Sequence, residues 1–211
     1  AMSSLNLGDK FDTSNVTNMR QMFDNCGREA LRSLSLGEKF NTSNVTNMNS
    51  MFQACGRTTL TSLDLGDKFD TSNVTDMSVM FSGLTALPSL DLGDKFNTSN
   101  VTNMSNMFST LTAITSLDLG DKFDTSNVTD HGKMFAGCTA ITTLDLGPKF
   151  TKIASENDSF MSDCGTTGAV IYAPEAIYKD RTSFKLNSGD TSTASGAIPV
   201  ETGRTINPIY K

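Results

Sequence analysis

The 211-residue chain has no basic excess. Seventeen Lys and Arg stand against 23 Asp and Glu, giving a formal net charge of −6 and a pI near 4.7. Nucleic-acid binders need a cationic footprint to release counterions, so that class is excluded. Charge-driven attachment to anionic membranes is excluded on the same ground. No apolar run approaches the roughly 20 residues of a spanning helix, and no membrane insertion is expected. Histidine occurs once, at His131, and the four cysteines form no C-x-x-C pair. A zinc set is therefore not expected. There is no G-x-S-x-G, P-loop or H-E-x-x-H, and one histidine does not make a triad. The expectation is no enzyme, no metal and no cofactor. Apolar residues make up only 37%, so any core must be built economically. A signal peptide is also lacking. The chain opens on "AMSSLNLG", already inside a repeat, and reads as an excised fragment whose export signal and anchor lie elsewhere.

What is present is repetition. "FDTSNVTDM" begins at Phe69, and near-copies begin at Phe11, Phe40, Phe96 and Phe123. The wider "LGxKF" unit places Phe at 11, 40, 69, 96, 123 and 150, in steps of 29, 29, 27, 27 and 27. Periods of this length indicate stacked coils, none of which buries its apolar face alone. Aligned coils turn composition into columns. Six Phe form one column, and Phe23, Phe52, Phe81, Phe108, Phe135 and, with a slip, Phe160 form another. Met19, Met48, Met77 and Met104 make a third column; Met22, Met51, Met80, Met107 and Met134 make a fourth. These columns are read as core rather than as a Met-rich binding groove.

Each coil reads in three parts. "LTSLDL" alternates apolar and polar residues, which predicts a short strand with one buried face. Gly66 and its equivalents permit the turn that follows. Val74, Met77, Met80 and Phe81 fall at i, i+3, i+6 and i+7, which predicts a short helix over 74–81 with Thr75 as its N-cap. The expected fold is an α/β right-handed parallel solenoid of about six coils over residues 1–164, with strands on the concave face and helices on the convex face. "AVIYAP" at 169–174 reads as a closing strand. Residues 165–187 are expected to form a C-terminal cap, with a short helix or turn over 173–185. Residues 188–211, rich in Ser, Thr and Gly, are expected to be a linker.

L-x-x-L-x-L is the strand signature of leucine-rich repeats. "MFQACGRTTLTSLDL" and "MFAGCTAITTLDL" resemble the unit of BspA-like leucine-rich repeats, and "FDTSNVTNMxxMF" is similar to bacterial surface proteins with units of about 26 residues. The resemblance covers roughly residues 5–164. It implies a secreted or surface-anchored bacterial protein that contacts a host molecule or another cell, and it fixes no ligand. The two longer coils and the irregular last coil depart from the pattern.

Several columns carry chemistry. Asn15, Asn44, Asn73, Asn100 and Asn127 each stand in N-V-T, a glycan acceptor in a eukaryotic secreted protein. Glycans stacked about 5 Å apart would collide, so a hydrogen-bonding Asn ladder is expected. Cys26 and Cys55 share a column with Leu84, Leu111 and Cys138, and Cys164 follows with a slip of one residue. Replacement by Leu favours buried free thiols, although neighbouring coils lie within disulfide reach. His131 replaces Met in a core column, which predicts a locally loosened coil. The "GDK" charges at the turn are expected to be a solvated ridge.

The strand column is the candidate site. Its outward position reads Asn6, Ser35, Asp64, Asp91, Asp118 and Asp145, and Ser62, Ser89, Ser116 and Thr143 flank the four aspartates. Like charges about 5 Å apart in water repel by roughly 0.8 kcal/mol, an arrangement that sheets usually avoid. Their reading as a binding surface predicts a host or cell-surface protein partner with a basic patch. A structural spacer holding another domain away from the cell wall is the alternative. Calcium binding is disfavoured, because aspartates on a flat strand column cannot wrap an ion.

Overall fold

Each L-x-L becomes a three-residue parallel strand. The structure, a computed structural model, describes residues 2–152, 160–166, 169–174 and 177. Its strands are β1 (Ser4–Asn6), β2 (Ser33–Ser35), β3 (Ser62–Asp64), β4 (Ser116–Asp118), β5 (Thr143–Asp145) and β6 (Val170–Tyr172). They form two parallel sheets, β1-β2-β3 and β4-β5-β6. The register follows the columns: Leu5 pairs with Leu34 and Leu34 with Leu63, then Leu117 with Leu144 and Leu144 with Ile171. The central leucine or isoleucine turns toward the core, and its two neighbours turn outward.

The coil bearing Ser89, Leu90 and Asp91 pairs in neither sheet. The cause is local. At the position before the strand, Arg32, Thr61 and Thr142 each donate their N–H to the preceding coil, at 2.7, 2.8 and 2.8 Å. Pro88 stands at that position here and has no N–H to give. The period also falls from 29 to 27 at this coil, because "CGRTTL" shortens to "LTAL". A missing donor and a shorter corner coincide, and the sheet divides.

The predicted helix over 74–81 does not form, and no α-helix occurs among residues 2–152 and 160–166. A run of tight turns replaces it. Met80 N–H bonds back to Met77 carbonyl at 3.2 Å, and Ser82 N–H to Val79 carbonyl at 3.1 Å. The alternate residues bond across coils instead: Met77, Val79, Phe81 and Gly83 donate to Asn103, Ser105, Met107 and Ser109 at 2.8–3.0 Å. Val79 takes φ 63° and Gly83 φ 78°, the left-handed conformation required at the third position of a type II turn. Thr75 caps no helix. Its N–H and hydroxyl both go to Thr46 carbonyl, at 2.9 and 3.1 Å. Parallel bridges Asn18–Asn47, Asn47–Asp76, Asp76–Asn103 and Asn103–Asp130 continue this second ladder across five coils.

Geometry accounts for the difference. A packed helix needs 8–10 Å from its neighbour, whereas strands need about 4.8 Å per coil. In the turn segment Phe23, Phe52, Phe81, Phe108 and Phe135 stack with centroids 5.4–5.7 Å apart. Coils so close leave no room for helices, and nothing forces the strand face to be concave. The fold is a parallel β-solenoid, not the α/β solenoid with convex helices.

The core is the set of columns. Met48, Met51, Met77, Met80, Met104, Met107, Phe52, Phe81 and Phe108 are fully buried. In the last coil Phe135 N–H donates to Phe160 carbonyl, where Phe108 N–H donates to Met134 carbonyl. Phe160 therefore stands in the Met column and Met161 in the Phe column, which corrects the expected slip. Cys164 then lies three residues after Met161, as Cys138 lies after Phe135, so the cysteines are in register. The expected closing strand is β6. The rest of the cap beyond Ile177 and the 188–211 linker lie outside the described residues.

A buried threonine column also joins the coils. Thr42, Thr71, Thr98 and Thr125 are fully buried, and Thr13 nearly so. Thr71 hydroxyl donates to Asn97 carbonyl at 2.8 Å and accepts from Asn97 N–H at 2.8 Å. Thr71→Val keeps the shape but leaves both Asn97 groups without that partner. The expected cost is about 1–3 kcal/mol. Denaturant melts should show a smaller loss for Thr71→Ser, which keeps the hydroxyl. Equal losses would mean that the methyl, not the bonds, matters.

Candidate functional site

The strand column brings most of the candidate residues onto one face. Ser62 and Asp64 lie on β3, Ser116 and Asp118 on β4, and Thr143 and Asp145 on β5. Ser116 pairs with Thr143 and Asp118 with Asp145. Ser89 and Asp91 belong to the unpaired coil and are exposed. Ser62, Asp64, Ser116 and Asp118 are exposed too, while Thr143 and Asp145 are half-buried. The column continues beyond the aspartates into Tyr172, which pairs with Asp145.

Each aspartate also has a local task. The Oδ1 atoms of Asp64, Asp91, Asp118 and Asp145 accept the N–H of Gly66, Gly93, Gly120 and Gly147 at 2.8–3.0 Å. These bonds close the turn after the strand, as Asx side chains commonly do. Sequence reasoning missed this role, although an Asx residue two places before each glycine carried the signal. Asn6 makes the same bond to Gly8 at 2.8 Å. That bond needs an oxygen and not a charge, and Ser35, whose hydroxyl goes to Asp64 instead, precedes the same left-handed turn at Gly37, φ 78°. Asp64 Oδ2 additionally accepts from Ser35 hydroxyl at 2.9 Å. Burial raises the pKa of Asp145, the Gly147 bond opposes this, and the charges of Asp118 and Asp121 add to the rise. Like-charge crowding is thus felt within the column.

The other columns sort as follows. The expected Asn ladder is present: the amides of Asn44, Asn73, Asn100 and Asn127 each donate to a serine carbonyl one coil back, at 2.7 Å. Lys122 Nζ on the turn ridge donates to Asp94 carbonyl at 2.8 Å. His131 is fully buried with its ring 5.2 Å from Phe160. The predicted loosening of its coil is absent, since Met104 and Asn106 still donate to Asp130 and Gly132 at 2.7 and 2.9 Å. A change of side chain does not disturb the backbone bonds that join this coil to the preceding one. All four cysteines are free thiols. Among the described residues no group of His, Cys, Asp and Glu could hold a metal ion.

The repeat and its coil-to-coil pairing can be set beside known proteins. A family model described as "Mycoplasma protein of unknown function, DUF285" matches residues 2–86 and again 57–163. The chain belongs to the DUF285 family. The two matches overlap on one coil, as expected when a model slides along a repeat. No curated protein and no solved structure matches the chain. The leucine-rich-repeat resemblance is thus replaced by a coarser result, a DUF285 repeat protein with a β-solenoid fold. The strand signature L-x-L is common to both, but residues 2–152 hold no helix of the kind that completes a leucine-rich repeat.

Proposed function

We propose that this DUF285 solenoid is a non-enzymatic interaction module of a bacterial surface protein, and that its strand face binds a protein with a basic patch. One observation carries the reading. Four equivalent positions of successive coils bear a negative charge that the fold does not require, because Asn6 closes the same turn without one. Duplicated carboxylates on a rigid face raise the local negative potential, which speeds encounter with a cationic partner and orients it. The exposed hydroxyls of Ser62, Ser89 and Ser116, with that of Thr143, offer neutral hydrogen-bonding groups beside them. The extracellular setting rests on the resemblance to bacterial surface repeats.

The test is Asp64→Asn, Asp91→Asn, Asp118→Asn and Asp145→Asn in one variant, which keeps each turn-closing oxygen. Adhesion to host cells and to a panel of matrix proteins is compared with the parent. Four charges, three exposed and one half-buried, contributing about 0.5 kcal/mol each would weaken binding roughly ten- to thirty-fold. The difference should shrink in high salt. Asp67→Asn, Asp94→Asn and Asp121→Asn on the turn ridge form the control. Unchanged binding in the fourfold variant, with the fold intact, would leave the spacer as the reading.

A further inference from the structure

The cysteine column reads Cys26, Cys55, Leu84, Leu111, Cys138 and Cys164. Thiols occupy neighbouring coils at both ends, and leucine fills the middle. Within each pair the backbones face one another directly. Gly56 N–H donates to Cys26 carbonyl at 2.8 Å, and Gly165 N–H to Cys138 carbonyl at 2.9 Å. Coils joined in this way lie about 4.8 Å apart, inside the Cα separation that a disulfide accepts. Cys26 and Cys55 close the same local turn, their N–H groups bonding to Phe23 and Phe52 carbonyls at 3.1 Å. Their side chains therefore leave the backbone in the same direction, and Cys26 lies near enough to act on the ionisation of Cys55.

The two pairs differ in access. Cys55, Cys138 and Cys164 are buried, whereas Cys26 is half-buried. Cys138 Sγ also donates to Phe108 carbonyl at 3.0 Å. Burial, reinforced by Cys26, pushes the Cys55 thiol up to about 12, so Cys55 keeps its proton and Cys26 is the residue that meets an external reagent. The first coil also carries Met2, Phe11 and Met22, the large apolar side chains left exposed among the described residues.

We infer that Cys26 and Cys55 form a redox-closable clasp between the first two coils, and that Cys138 and Cys164 are a shielded pair that stays reduced in the folded protein. The oxidant is a small-molecule disulfide. Cys26 thiolate attacks one of its sulfurs, forming a mixed disulfide and releasing one thiolate. Cys55 then loses its proton, attacks Cys26 Sγ and expels the second thiolate. The two cysteines give up two electrons and two protons, and the small disulfide becomes two thiols.

The experiment incubates the reduced, folded protein with oxidised glutathione and follows intact mass, peptide linkage and thermal midpoint. The expected product has lost two hydrogens, carries a Cys26–Cys55 link and no glutathione, and melts about 5 °C or more higher. Cys55→Ala should instead trap glutathione on Cys26. Cys26→Leu with Cys55→Leu, the residue already used in the middle coils, should show neither mass change nor shift. The clasp is overturned if the parent ends with glutathione on Cys26 and no internal link. It is equally overturned if Cys138–Cys164 links first, if two chains join through Cys26, or if only unfolded protein reacts.

Discussion

Phe81→Ala is expected to lower stability by about 3–5 kcal/mol, through lost burial together with the cavity left behind. Phe81 is fully buried. Its ring is stacked between Phe52 at 5.6 Å and Phe108 at 5.7 Å and lies 6.3 Å from Phe96. Collapse into the hole is opposed from both sides, because the neighbouring backbones are pinned by Phe52 N–H to Met80 carbonyl and Phe81 N–H to Met107 carbonyl, each 2.9 Å. Lys68→Ala, on the exposed turn ridge of the same coil, should change stability by less than about 0.5 kcal/mol. Thermal and denaturant melts of both variants decide the matter. Equal, small shifts would show that the Phe column is not the core that the register requires.

That column was legible in the sequence, and so were the strands. A large apolar residue recurring at one place in every coil is brought against its own copies by any stacking, so it must be core. L-x-L with a following glycine marks a strand and its exit in five coils, and only the coil of Leu90, which follows Pro88, has the pattern without the strand. The Asn ladder was legible for a related reason, since five identical side chains at coil spacing must either clash or bond. The turn run was not legible, because Val74, Met77, Met80 and Phe81 satisfy two geometries. A run of turns buries the same four residues as a helical face does. The discriminating signal lay in the column Asn25, Ala54, Gly83, Thr110 and Gly137, where two glycines mark a left-handed position that no helix interior wants. The column of Gln21, Ser50, Val79, Asn106 and Lys133 has no glycine, yet each takes φ of 56–63°. There the ladder to the next coil overrides local preference, and local sequence could not reveal it.

The candidate site was half legible for the same reason. The aspartates were visible as a column, and the strand pattern put them on the outer face. What their oxygens do could be read only once the turn glycines were seen as donors. The distinction decides how the site should be probed. An Asp→Ala series would remove the bond to the glycine N–H and the charge together, so the two contributions to any loss of binding could not be told apart. Asp→Asn separates them because Asn6 already performs the closure.

The glycine column supplies the other large expected effect and tests the division of the sheet. Gly93 and Gly147 occupy equivalent turns, with φ of 76° and 74°. A side chain at either position meets the same left-handed penalty, about 1–2 kcal/mol for alanine. Their surroundings differ. A Cβ at Gly147 would lie 2.4 Å from Gly120 carbonyl oxygen, a backbone atom that cannot swing aside. A Cβ at Gly93 would meet nothing within 4 Å, because its coil is the one that Pro88 leaves unpaired. Gly93→Ala should therefore cost about 1–2 kcal/mol. Gly147→Ala should cost about 3 kcal/mol or more, since coils already packed at close range must move apart. Denaturant melts of the two variants side by side give the comparison, with the shared φ penalty cancelling in the difference. Equal costs would mean that the coil of Ser89–Asp91 packs as tightly as the others, and that Pro88 does not open the strand face.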